Sequence, residues 1–263
     1  MKALLLSVFF LLSTPSFAED ILGITEASKD VTLSLSISGL ISEQSIKEGQ
    51  LVQVGEKLLE LDSDVEKLDI QKSLLQWKDQ TELKSAQEQS AIYRTIYRNA
   101  GALFNKGAIS GEEFKRKKLQ YFEKRAESRK FEVKEKREEV EYKLKQAKQN
   151  LKILRAPFNG MITKIWLNKG ESSEANQPLL RIVDHTQGRF ITNVEETIGR
   201  TLQVGQSVNL FIKAGDEAIL RKGDVVFVSP IADKASSLIE CIVTFDNSDG
   251  EIKLGVTGRM EIL

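Results

Sequence analysis

The residues able to do chemistry are few and scattered. His185 is the only histidine and Cys241 the only cysteine in 263 residues. A zinc site clusters three or four Cys, His or carboxylate ligands, and His185, next to Asp184 in an expected inter-domain turn, has no such company. It reads as a solvated loop histidine. A lone cysteine cannot close an internal disulfide. Cys241 alternates with Ile239, Val243 and Phe245, where it reads as a small buried hydrophobe. No nucleophile–base arrangement stands out, and no Gly-x-x-x-x-Gly-Lys phosphate loop occurs. The expectation is a non-enzymatic protein with no catalytic residues, cofactor or metal, whose work is done by surfaces.

Charge says which surfaces. The chain carries 38 basic and 38 acidic side chains, so it lacks the basic excess of a nucleic-acid binder. With 41% hydrophobic residues it is not a disordered tail either. The charges concentrate in one stretch: residues 111–148 hold 14 basic and 9 acidic side chains, the composition of a solvated helical face. Residues 1–18 (one lysine, an apolar run of ten, then Ser16-Phe17-Ala18) read as a cleaved secretory signal too short to span a membrane. No cysteine near it offers a lipid anchor. A soluble, exported protein is expected.

The elements that must carry those surfaces are marked by glycine and proline. No proline occurs between Ser16 and Ala156, and glycine is missing from 56–100 and 112–159, with Gly101, Gly107 and Gly111 clustered between. That predicts two long helices, about 64–100 and 111–150, joined at a glycine-rich turn. Ser63-Asp-Val-Glu66 and Ser110-Gly-Glu-Glu113 read as their capping boxes. In the second helix Leu119, Ala126, Val133, Val140, Ala147 and Leu154 recur every seven residues, with Phe122, Leu144 and Leu151 in part of a second seam. In the first, Leu68, Leu75, Leu83, Ala86, Tyr93 and Tyr97 suggest a less regular seam. The pattern predicts an antiparallel α-helical coiled-coil hairpin closed along these residues.

An internal repeat flanks the hairpin. At a constant offset of 121, Gly39 matches Gly160, Ile41 matches Ile162, Ile46 matches Leu167 and Gly49 matches Gly170. Leu58, Leu59 and Leu61 likewise match Leu179, Leu180 and Ile182. One copy is too small to bury a core, so the two are expected to pack on each other as one β-sandwich, split by the hairpin. Alternating runs from Phe190 onward, with glycines between them, predict a small β-barrel. The fold class is thus α+β: a split sandwich, 19–62 and 155–185, a hairpin, 63–154, and a barrel, 186–263.

This order resembles the periplasmic adaptor (membrane fusion) proteins of RND-type efflux pumps and related tripartite secretion systems. Arg155-Ala-Pro157-Phe-Asn-Gly160 resembles the entry to the second lipoyl-like half, and Gly49 with Val54-Gly55-Glu-Lys resembles the first. Val194-Glu-Glu-Thr-Ile198, Val204-Gly-Gln-Ser-Val208 and Leu254-Gly-Val-Thr-Gly258 resemble the barrel. The resemblance implies a link between an inner-membrane transporter (RND-type first, ABC-type second) and an outer-membrane channel protein, with self-association into a ring and a peripheral place at the inner membrane. It also implies channel docking at the hairpin tip through an Arg-x3-Leu-x6-Ser pattern. Leu103 and Ser110 fit that pattern, Asn99 stands at the arginine position, and Arg98 precedes it; Gly107 shapes the turn. Many members continue past the barrel into a membrane-proximal domain, expected here to be absent or vestigial, with 21–31 as a stray strand. A lipoyl carrier needs an exposed lysine where this chain has its hairpin, which disfavours carriage. A free-standing periplasmic scaffold and a ligand-carrying protein without a pump stay open as alternatives.

Overall fold

A computed structural model describes residues 21–262, and the first element among them is a long strand, β1 (Ile21–Ser34). The expected signal segment, 1–18, lies outside the described residues. The first half-repeat follows as β2 (Gly39–Gln44), β3 (Leu51–Val52) and β4 (Lys57–Leu61). Three helices come next: α1 (Asp64–Lys78), α2 (Thr81–Asn105) and α3 (Gly111–Asn150). The second half-repeat is β5 (Ile153–Arg155), β6 (Gly160–Ile165), β7 (Ser172–Ser173) and the start of β8 (Pro178–Glu195). A short helix, α4 (Glu196–Gly199), leads into β9 (Ser207–Ala214), β10 (Glu217–Val228), β11 (Leu238–Asp246) and β12 (Thr257–Ile262).

The two half-repeats close on one core about a local two-fold. Ile41, Leu58, Leu59 and Leu61 are buried against Ile162, Leu179, Leu180 and Ile182. The backbone bonds are reciprocal: Gly49 N–H donates to Ile162 O at 2.8 Å and Gly170 N–H to Ile41 O at 2.9 Å. Gly55 N–H donates to Ala156 O, and Asn176 N–H, at the matching position, to Leu35 O. Gly49 and Gly170 have φ of 84° and 92°, where a Cβ is strained, so each repeat needs glycine at its turn. The Arg155–Gly160 string fastens one half to the other. Arg155 donates to Gly55 O at 3.0 Å, Asn159 Oδ1 accepts from Val54 N–H at 2.7 Å, and Phe158 packs on the core beside Pro157. Gly160 lies so close to β8 that a Cβ would sit 2.7 Å from Val183 O. Gly39 faces Leu61.

The barrel is closed by β1. Its order is β1-β12-β9-β10-β11-β8, and β8 pairs back onto β1. Phe190, Leu210, Ile212, Cys241, Val243 and Met260 are fully buried inside it. Burial pushes the Cys241 thiol up to about 11, as expected of a thiol packed as a hydrophobe. β1 is no stray strand: it pairs with β12 over Ile21–Ile24 and with β8 from Gly23 to Ser34, through a bulge between Ala27 and Lys29. His185 is on β8, half-buried, and its Nδ1 has no partner among the described residues. The expected solvated loop histidine is therefore corrected to a strand residue.

The hairpin departs from expectation in three ways. Its first arm is broken, with α1 ending at Lys78 and α2 starting at Thr81. Asp79 ends α1, and its Oδ1 accepts from the Thr81 N–H and hydroxyl across the break. The arm also runs to Asn105, so Gly101 is helical and only Gly107 and its neighbours turn. Most consequentially, the α3 heptad has the right period and the wrong phase. Leu119 is 61% exposed and Val140 65%, whereas Phe114, Tyr121, Ser128, Glu135 and Tyr142, also seven apart, face the first arm. Leu68 and Leu75 are exposed as well, while Leu83, Ala86, Tyr93 and Tyr97 do lie inward.

Candidate functional site: root, tip and flanks of the hairpin

The root decides how the hairpin stands on the sandwich. Glu60, on β4 and only 5% exposed, receives the Ser63 hydroxyl at 2.6 Å, Lys67 Nζ at 2.9 Å and Lys57 Nζ at 3.1 Å. Burial pushes its carboxyl up, but these three donors outweigh it and hold the group at about 2. Ser63 is thus not the expected side-chain cap; its hydroxyl is spent on Glu60. On the returning arm Lys152 donates to Asp62 O at 2.7 Å and pairs with Glu66. Both arms are therefore clamped to the same strand end.

Along its length the hairpin is held by aromatic and charged contacts rather than an aliphatic seam. Trp77 stacks on Tyr142 at 5.5 Å and donates Nε1–H to Glu135 at 3.0 Å. Lys145–Asp69 and Lys134–Glu82 bridge the arms. Towards the tip Tyr121, Tyr97, Phe114 and Phe104 form a ladder of stacked rings at 5.1–5.6 Å. Stacked rings contribute about 0.5–1.5 kcal/mol beyond area burial, so the distal part of the hairpin is closed mainly by aromatic contacts.

At the tip Gly107 adopts φ 71° and its N–H donates to Phe104 O, while Ala108 N–H donates to Leu103 O. This closes α2 with a left-handed residue. Ser110 caps α3 as expected, its Oγ accepting from Glu113 N–H at 3.1 Å. Leu103 is 46% exposed. Asn99 precedes it by one helical turn, which places the two on one stripe. Arg98 is elsewhere: it lines a groove on one flank, whose lining contains neither Asn99 nor Leu103. Arg98 is thus one residue, about 100°, around α2 from the Asn99–Leu103 stripe.

Two features of the flanks were not expected: one row changes sides and one groove is new. The apolar row Leu119, Ala126, Val133 and Val140 is exposed along the outside of α3, and the groove carries four arginines, Arg94, Arg98, Arg125 and Arg129. The spacing signals were present, Arg94/Arg98 and Arg125/Arg129 being four apart on long helices, but the pairing of the arms was needed to join them. No helix among the described residues is long and apolar enough to cross a membrane.

This architecture, a barrel-sandwich hybrid split by a helical hairpin, defines the membrane fusion (adaptor) class. The chain matches the family described as RND MFP, barrel-sandwich hybrid domain, over residues 29–185. It belongs to that family. Among individual proteins it is 26% identical over 243 residues to an uncharacterized protein of Haemophilus influenzae, covering 91% of this chain and 56% of that one. The chain thus spans little more than half the length of that relative. Among solved structures it is similar to MacA from Actinobacillus actinomycetemcomitans, with TM-score 0.66, 20% identity and coverage of 92% and 77% of the two chains. It is also similar to the membrane fusion protein Spr0693 from Streptococcus pneumoniae R6, with TM-score 0.58, 15% identity and coverage of 93% and 98%. At these identities the likeness is one of fold.

Proposed function

We propose that this chain is a periplasmic adaptor of a tripartite efflux or secretion system. It would be exported by residues 1–18 and link an inner-membrane transporter, RND-type before ABC-type, to an outer-membrane channel. The observation that carries this reading is the hairpin itself. Forty residues of α3 span about 60 Å from a sandwich of the adaptor family, and the root network ties both arms to the end of β4. A helical spacer of this length is suited to joining things held apart. The tip, with Leu103 exposed beside Asn99 and closed by Gly107 and Ser110, meets the channel, and the β-domains meet the transporter. Several copies side by side form a ring, for which the exposed apolar row on α3 supplies contact surface. The test is a cysteine at Lys106 carrying a photo-crosslinker in cells of the native host. Crosslinks to an outer-membrane channel are expected; crosslinks to inner-membrane or soluble proteins alone would sink the docking claim.

A further inference from the structure

One flank of the distal hairpin is built for a ligand of its own. Between α2 and α3 runs a groove of about 1160 Å³ whose walls present Arg94 and Arg98 from one helix and Arg125 and Arg129 from the other. A single carboxylate, Glu132, lines it. Among the described residues none of the four guanidinium groups has an ion pair, hydrogen bond or ring contact. Arg116 and Arg137 on α3 are likewise unpaired, and what sets these four apart is that one groove gathers them. Each arginine pair is a like-charge pair one turn apart, an arrangement that repels within its own helix.

The heights of these cations are set by the stacked rings. Tyr97 lies against Tyr121, and Trp77 against Tyr142, so residues whose numbers sum to about 218 are level. Arg94 therefore stands level with Arg125, Arg98 one turn nearer the tip, and Arg129 one turn nearer the root. That makes a ladder of three cationic levels about 6 Å apart along the groove axis. Tyr97, Tyr121 and Phe114 line the same groove. A compact anion would occupy one level and leave two empty. An extended ligand with charges one helical turn apart matches all three.

We propose that the groove seats a helix of a partner protein that carries carboxylates at i, i+4 and i+8. A cleft between two antiparallel helices receives a third helix by ridge-into-groove packing, and guanidinium forks pair with carboxylates in a defined planar geometry. This lateral site is separate from the tip contact and does not require Leu103 or Ser110.

The probe is a fluorescent, alanine-rich helical peptide of about 20 residues, long enough to be helical in water, with glutamates at three successive i, i+4 positions. Matched peptides carry glutamine or lysine there. Titrated with the full exported chain, the glutamate peptide is expected to bind at least about tenfold more tightly than the glutamine peptide, with affinity falling as salt rises. The fourfold variant Arg94→Glu, Arg98→Glu, Arg125→Glu, Arg129→Glu, checked for unchanged helix content, should lose the glutamate peptide and gain the lysine peptide. Leu103→Ala should bind as the parent does, which separates failure of this site from failure of tip docking. The proposal is overturned if no peptide binds, if glutamate and glutamine peptides bind alike, or if the reversed variant keeps the glutamate peptide. Full displacement by equimolar tripolyphosphate also overturns it, because a compact polyanion would then suffice.

Discussion

Glu60→Gln isolates what one buried carboxylate does at the root of the hairpin. In the folded chain the carboxyl is held at about 2, against an ordinary value of 4.5. Burial opposes this, and the Ser63 hydroxyl with the Lys67 and Lys57 ammonium groups prevails. A carboxyl whose folded pKa lies below its unfolded one stabilises the fold at any pH above the unfolded value. That contribution disappears as pH falls from about 4.5 through about 2. A gap of that size is worth about 3 kcal/mol. Since Lys67 and Lys57 keep 48% and 32% of their side-chain exposure, solvent screening lowers the expectation to about 2 kcal/mol. Glutamine keeps an acceptor for Ser63 and gives up both ion pairs. Urea unfolding, followed by Trp166 fluorescence in a Trp77→Phe background, reports the sandwich end of the network. The midpoint at pH 7 should fall by about 1 M, using a slope of about 2 kcal/mol per molar urea. The gap between parent and variant should narrow steadily below pH 4.5. A loss under about 0.5 kcal/mol at pH 7, or one of equal size at pH 7 and pH 3, would refute the reasoning.

Other consequences can be checked separately. Leu119→Asp with Val133→Asp and Val140→Asp should leave the thermal midpoint of the isolated chain within a few degrees, because these side chains are exposed. The same triple variant should abolish ring formation in analytical ultracentrifugation wherever the parent assembles. Ser110→Ala removes the α3 cap and should cost about 1 kcal/mol, read as faster hydrogen exchange of the Glu113 amide. Gly170→Val forces a β-branched residue to φ 92°; a loss of about 1–3 kcal/mol is expected, and Gly49→Val, its repeat mate, should match it within error.

What could be read without coordinates depended on what each residue's neighbours demand. The sandwich was legible because a core this small repeats its requirements: the buried positions Ile41 and Ile162, or Leu61 and Ile182, are filled alike. The hairpin's period was legible, but its phase was not. The inner seam of α3 contains Ser128 and Glu135, and its closure comes from rings and ion pairs on the facing arm. A rule that places aliphatic residues inward therefore selects the wrong face. The break at Asp79 left only a local signal, an Asp two residues before a Thr whose N–H and hydroxyl donate to it, and the absence of glycine and proline masked it. At Ser63 the local pattern was present and a long-range partner, Glu60, outcompeted it. The turn at Gly107 and the cap at Ser110 were legible, yet the side on which Arg98 lies depends on how two helices twist together, which no linear pattern contains.

The hairpin enters and leaves the sandwich through adjacent strand ends, β4 and β5, paired with each other. Its length is therefore a free variable of the design. One heptad added to each arm moves the tip outward by about 10 Å and preserves which face of each helix meets the other, while the sandwich core and the root network are untouched. One residue added to each arm instead turns the tip by about 100° and points Leu103 in a new direction. Such a spacer behaves as a ruler graduated in heptads: the distance it spans can drift over generations in whole steps, and partial steps cost the alignment of whatever it meets.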